Sequence, residues 1–286
     1  MGWISGIVRA CAVMVPLAAM YAGSTSSVQR PAAPTLRVET RAPRRGAPPR
    51  MILARSGTPA RRPVTRQVFQ PAVVPTHPCE GGAPKEPDAR EVFSHPTASK
   101  RVALTFDDGP SRENTPRVLK ALRRAEAHAT FFVLGDRAER MPDLLAAAHE
   151  DGHEIANHGF SHTSMRSLWK SQIRDEVCRT HRAIVAATGQ APALLRPPFG
   201  RYAPSAVPLV GGLGYDLVLW SVDAADWKAR EPAAMAKRVV QAARPGSIIL
   251  MHDREASSAE ALPMILAGLK RRGFEVVTVS ALLEWD

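Results

Sequence analysis

Residues 102–110 read Val-Ala-Leu-Thr-Phe-Asp-Asp-Gly-Pro. An apolar run of strand length ends there, with no spacer, on two carboxylates and a turn signal. The same texture recurs in short apolar runs at 129–134, 154–156, 193–195, 216–222, 247–250 and 274–279. Helical patterns separate them: 115–127, with Val118, Leu119 and Leu122 on one side, then 142–149, 172–188, 232–243 and 259–272. Pro116, Pro142 and Pro232 suit first helical turns, and Gly152, Gly189 and Gly273 suit helix ends. Strand and helix alternate without an internal repeat, which predicts a parallel α/β sheet or barrel.

Polar residues follow five of the runs. They are Asp107-Asp108, His158 with His162, Arg196-Pro-Pro-Phe-Gly-Arg-Tyr202, Asp223-Ala-Ala-Asp226-Trp227 and His252. In parallel α/β architectures the carboxyl ends of the strands share one face, where ligands and catalytic groups collect. The five clusters are therefore expected at one mouth. On a turn of helix, His158 and His162 would face the same way, and a carboxylate from Asp107 or Asp108 would complete a three-ligand metal set with positions open to water. A divalent cation so held lowers the pKa of water toward about 7 and polarises a carbonyl, which is hydrolase chemistry. The second aspartate remains as a base, and His252 with Asp226 supplies a general acid.

In this order and spacing the clusters resemble the NodB-like polysaccharide deacetylases, carbohydrate esterase family 4. Thr105-Phe-Asp-Asp-Gly-Pro110 is similar to the first motif of that family, His158-x-x-x-His162 to the second, Arg196-Pro-Pro-Phe-Gly200 to the third, Asp223-x-x-Asp-Trp227 to the fourth and Leu250-x-His252 to the fifth. The resemblance covers residues 99–286 and implies an irregular (β/α) barrel of about seven parallel strands. It implies that Asp108, His158 and His162 bind one divalent metal ion, zinc first, with cobalt or nickel as alternatives. Asp107 would be the catalytic base, oriented by Arg196, and His252 the acid, tuned by Asp226. The backbone N–H of Phe199 would face the oxyanion, while Trp227 and Leu250 wall the acetyl pocket. The implied reaction hydrolyses N-acetyl groups of an N-acetylhexosamine polymer, peptidoglycan or chitin-like, to acetate and an amine. Two departures from the family pattern stand out: Gly159 where Ser or Thr is usual, and Phe199 where Tyr is usual.

Two other functions compete. One is a silent glycan-binding relative with Tyr202 and Trp227 as sugar platforms; the other is a relative that hydrolyses a non-sugar amide C–N bond. His149-Glu-Asp-Gly-His153 fits a metalloprotease HExxH pattern, but Asp-Gly stops the helix which that chemistry needs. Gly211-Gly-Leu-Gly214 precedes a strand instead of following one, so it reads as a turn and not a nucleotide loop.

The chain has 286 residues and a formal net charge of +11. Three cysteines without a CxxC pair exclude a disulfide mini-protein and a dithiol redox enzyme. A mean hydropathy of −0.16 excludes a multi-span membrane protein. The charge hints at nucleic acid until its location is read: residues 1–97 hold 13 of the 38 Lys and Arg, five of the 27 Asp and Glu and 14 of the 25 prolines. No nucleic-acid partner is therefore expected for the rest, which is close to charge balance. Residues 1–23 read as a secretory signal or membrane anchor, 24–97 as a disordered Pro/Arg/Ala linker and 98–286 as the catalytic domain. The expectation is an exported, periplasmic or envelope-associated monomer. Cys79 and Cys178 either pair after export or, as the simpler reading, stay unpaired.

Overall fold

A computed structural model describes residues 77–81, 89–96, 99–228 and 231–284. The expected leader at 1–23 and most of the linker at 24–97 lie outside the described residues. In chain order the elements are β1 (Glu91–Val92), β2 (Arg101–Asp107), α1 (Thr115–Ala125), β3 (Thr130–Val133), α2 (Gly135–Arg140), α3 (Pro142–Glu150), β4 (Glu154–Asn157) and α4 (Lys170–Thr188). There follow β5 (Leu194–Leu195), α5 (Val207–Gly212), β6 (Asp216–Val218), β7 (Val222–Asp223), α6 (Pro232–Ala242), β8 (Ile248–His252), α7 (Ala256–Arg271), β9 (Glu275–Val277) and α8 (Val279–Leu283). The strands pair in parallel in the order β1-β6-β5-β4-β3-β2-β8-β7, with β9 against the first half of β2.

This is the expected irregular barrel, with nine strands among the described residues where the sequence suggests about seven. The excess comes from β1 and from division of the run at 216–222. Within that run β6 lies near one end of the strand order and β7 at the other. Leu219-Trp220-Ser221 carries the chain across: the Leu219 N–H donates to Val92 O at 2.7 Å on one side, and the Ser221 N–H to Ile248 O at 3.0 Å on the other. One strand thus changes partners to span the gap. At the break the carbonyls of Val218 and Leu219 accept from the Arg196 guanidinium at 3.1 and 2.8 Å, so the interruption leaves them paired.

The alternation of β2 sorts its side chains. Val102, Leu104 and Phe106 join the core beneath α1, α6 and α7, while Ala103 packs in a separate cluster with Phe132, Leu194, Val218 and Ile248. A period of two puts Thr105 and Asp107 on the Ala103 face. The barrel interior is therefore apolar below and polar at the carboxyl ends. Three helices of five or six residues, α2, α5 and α8, escape the periodicity reading because they are shorter than two turns.

The fold also reaches further toward the N-terminus than the expected boundary at 98. β1 extends the sheet alongside β6, fastened by Arg90 to Asp216 at 2.6 Å. A short turn at Pro78–Glu80 is tied to α4 by a Cys79–Cys178 disulfide. The simpler reading of two unpaired thiols is corrected accordingly; proline-rich composition hid a segment held by a covalent link and by strand pairing, neither of which has a local periodic signal. Among the described residues no helix is long and apolar enough to cross a membrane.

Candidate active site

Asp107 ends β2 on its inner face, buried, and its Oδ1 accepts from Arg196 Nη1 at 2.7 Å. In a regular strand Asp108 would point to the opposite side. Its backbone instead adopts φ 70°, a left-handed conformation that Asp tolerates better than most side chains. Both carboxylates consequently face His158, whose Nε2 lies 3.7 Å from Asp107 Oδ2 and 3.5 Å from Asp108 Oδ1. His162 Nε2 lies 3.1 Å from that same Asp108 oxygen.

The two histidines do not share a helical turn. β4 stops at Asn157, and the chain bends through Gly159 at φ 77° and His162 at φ 61°, so a loop and not a helix converges the rings. Gly159 is suited to this bend, since a side chain at positive φ is strained; its N–H donates to Asn157 Oδ1 at 2.9 Å.

The donors fit a divalent cation. One ligand atom from each of Asp108, His158 and His162 lies within 4.8 Å of the others. Asp108 Oδ1, the oxygen both rings face, is buried with no hydrogen-bond partner. His158 Nδ1 lies 2.7 Å from the Arg196 carbonyl, so it donates there and leaves Nε2 bare for a metal. Burial pushes the Asp108 carboxyl up, but the two imidazoles outweigh it and hold it well below the usual carboxylate range. Asp108 is therefore ionised, as a ligand must be.

Arg196, with no solvent exposure, fills the centre. Besides Asp107 and the two carbonyls at the strand break, it donates to Thr105 Oγ1 at 2.7 Å and stacks 4.0 Å over Phe132. Burial pulls its pKa down, opposed by Asp107. Across the mouth, His252 Nδ1 is 2.8 Å from Asp226 Oδ1 and the His252 N–H donates to Asp226 Oδ2 at 2.6 Å. Ser258 Oγ donates to that carboxylate too. Burial raises the Asp226 pKa, and His252 with Ser258 more than reverses this. Asp107 and His252 are register partners on the adjacent strands β2 and β8.

The remaining expected residues divide. Phe199, at φ 61°, sets its exposed ring 4.4 Å from His162. Leu250 is buried on β8 opposite Thr105, with the strand parity of His252. Trp227 is exposed beside Asp226, with Lys228 Nζ 4.6 Å above its ring. Tyr202 donates its hydroxyl to Glu91 of β1, and among the described residues no contact joins it to Asp108, His158 or His162. His153 is buried after α3 has ended and accepts from the Ala129 N–H at 3.3 Å; His149 is half-buried on α3. The two do not share a helix, so the HExxH pattern fails geometrically.

Two residues of the site have no assigned role in the sequence reading. Thr105 receives Arg196 and donates to Ile249 O at 2.8 Å; its signal is a polar residue in step with Asp107 inside an apolar run. Asp253 is buried behind Gly109, its Oδ2 accepting from Thr115 Oγ1 at 2.5 Å, and Thr115 Oγ1 in turn accepts from the Ser111 N–H at 2.7 Å. A Cβ at Gly109 would lie 2.3 Å from both Asp253 carboxylate oxygens. Because Thr115 pins that carboxylate, Gly109→Ala is expected to cost about 1–3 kcal/mol, as overpacking does. Urea denaturation measures it; an unchanged midpoint would mean that Asp253 moves aside freely.

Residues 94–218 match the polysaccharide deacetylase family model. A peptidoglycan-N-acetylglucosamine deacetylase of Bacillus cereus is 34% identical over 68% of this chain and 72% of its own. The chain belongs to the polysaccharide deacetylase family. The peptidoglycan-N-acetylglucosamine deacetylase PgdA of Listeria monocytogenes is 37% identical over 64% of this chain, and the match spans 39% of that protein's length. Among solved structures, BA3943 from Bacillus anthracis, described as a CE4 family pseudoenzyme, aligns with a TM-score of 0.66 and 31% identity over 68% of this chain and 69% of its own. Family membership thus does not by itself establish turnover, and the side chains at the mouth have to decide it.

Proposed function

We propose that this chain is a metal-dependent deacetylase that removes acetyl groups from N-acetylhexosamine units of peptidoglycan, releasing acetate. The observation that carries the reading is the pairing at the mouth. Asp107 with Arg196 and His252 with Asp226 flank the Asp108, His158 and His162 donor set. The names of the B. cereus and L. monocytogenes relatives favour peptidoglycan as the substrate.

Asp107 takes the proton of the attacking water, and Arg196 fixes the carboxylate that does so. His252, one strand away, protonates the departing amine, with Asp226 holding Nδ1 so that Nε2 carries the transferred proton. The Phe199 N–H donates to the oxyanion, and Leu250 with Trp227 encloses the acetyl methyl. A cation held by Asp108, His158 and His162 would polarise the amide carbonyl and acidify water; zinc is our choice for imidazole and carboxylate donors. Every group in this scheme comes from one chain, so a monomer suffices. Peptidoglycan lies outside the cytoplasmic membrane, so the reading assigns export or anchoring to residues 1–23 and a tether to the Pro/Arg-rich segment after them.

Acetate release from acetylated chitooligosaccharide or peptidoglycan is expected to stop with a chelator and return with Zn²⁺ or Co²⁺. Release that survives metal removal would sink the mechanism. The pseudoenzyme neighbour favours a second reading, a non-catalytic glycan binder; any metal-dependent turnover excludes it. Including a cyclic imide and a ureide in the same substrate panel tests non-sugar C–N hydrolysis.

The pH dependence follows from His252. Burial lowers its pKa, but Asp226, aided by Asp107 and Asp108, outweighs burial and lifts it from 6.5 to about 9. The acid must be protonated, so kcat/KM is expected to be retained through neutral pH and to fall on the alkaline side. A cation on Asp108 offsets the pull of the two aspartates, placing the limb between 6.5 and about 9. In Asp226→Asn the limb is expected to move toward 6.5; a pH–rate profile that does not shift would separate Asp226 from the acid.

A further inference from the structure

A second ligand set, sharing no residue with the first, joins residues 77–81, the N-terminal arm, to α4. His77 and Cys79 come from the arm, and Cys178 and His181 from α4, where a spacing of three puts them on one helix face. One ligand atom from each of His77, Cys79 and His181 lies within 4.8 Å of the others. Cys178 is bonded to Cys79, and all four side chains are buried. His181 has no solvent exposure; its Nδ1 is 2.8 Å from the Tyr215 hydroxyl, while its Nε2 has no hydrogen-bond partner and lies 3.8 Å from Glu80 Oε1. An apolar side chain would serve packing better than a buried imidazole nitrogen without a hydrogen-bond partner.

Two thiolates and two imidazoles form a Cys₂His₂ set, the donor type of tetrahedral structural zinc. Disulfide sulfurs are not such donors; thiolates are. We propose that in its dithiol form this cluster binds one zinc-type divalent cation through His77, Cys79, Cys178 and His181, so that metal and disulfide are alternative clasps fastening the arm to α4. The His77 and His181 rings stack at 3.9 Å, and binding turns them out of parallel toward the shared ion. The chemistry balances with a phosphine reductant: the S–S bond breaks, phosphorus takes the oxygen of one water to become the phosphine oxide, and two thiols form. The cation then displaces both thiol protons to solvent.

The test titrates Co²⁺ into the full chain, oxidised and phosphine-reduced, without air. The reduced protein is expected to take up one equivalent more than the oxidised protein, with a thiolate-to-cobalt charge-transfer band in the near ultraviolet that Zn²⁺ abolishes. The catalytic donor set contains no sulfur and cannot give that band, so His158→Ala is expected to keep it. His77→Ala and His181→Ala are expected to weaken the additional site at least about 10-fold, since even outer-shell losses cost 10–100-fold. No extra equivalent in the reduced wild type overturns the proposal, as does a thiolate band of unchanged affinity in both histidine variants. His77 belongs to the arm, outside the sheet, so its variant keeps the test open if His181→Ala does not fold.

Discussion

Asp107→Asn is expected to lower kcat by about 10²–10⁴-fold, the range for loss of a general base, while metal content stays at the wild-type level. In the proposed scheme two adjacent aspartates divide the labour. Asp108 Oδ1 is the oxygen that both imidazoles face, whereas Asp107 Oδ1 is occupied by Arg196 at 2.7 Å. Asparagine at 107 keeps an amide oxygen for that guanidinium, so the positions of Arg196 and of the His158 ring bonded to its carbonyl should persist. What disappears is a group able to accept a proton. Steady-state kinetics and metal analysis of one sample check both halves. If metal is lost along with activity, Asp107 is a ligand and the roles of the two aspartates are misassigned; if activity remains within a factor of ten, another base operates.

The convergence of the clusters could be anticipated because each stands at the end of an apolar run, where parallel strands must deliver it to one face. Strand parity and the β2–β8 register then bring Asp107 and His252 side by side. Less legible was how two neighbours on a strand come to face the same way. That requires the left-handed turn at Asp108, which no composition rule marks. The loop carrying His158 and His162 misleads for a related reason: a spacing of four is what a helix would use, and positive φ at Gly159 and His162 achieves the convergence differently. Thr115 and Asp253 meet across 138 residues, and Cys79 and Cys178 across 99, so neither contact has a local signature. The arm carrying Cys79 was hidden by proline and arginine content, because disorder is inferred from composition whereas this segment is held by a disulfide and by pairing of β1.

Arg196→Met is expected to destabilise the fold by about 3–5 kcal/mol, the cost of removing one partner from a buried ion pair, and to abolish measurable turnover. Methionine approximates the stem but replaces none of the donors. Without them Asp107 becomes an uncompensated buried carboxylate, Thr105 Oγ1 loses its donor, and the Val218 and Leu219 carbonyls at the strand break lose theirs. Arg196→Lys should recover little, because an ammonium is a point charge that cannot span four acceptors in a planar fork. Since the same guanidinium serves Asp107, the proposed base, and the strand that spans the barrel gap, activity and stability should fall together here, unlike in Asp107→Asn. Urea unfolding of the single variants and of Arg196→Met/Asp107→Asn closes the cycle. The double variant is expected to be more stable than Arg196→Met alone, because asparagine removes the stranded charge. A double variant no more stable than the single would mean that the unpaired carbonyls, and not Asp107, carry the cost.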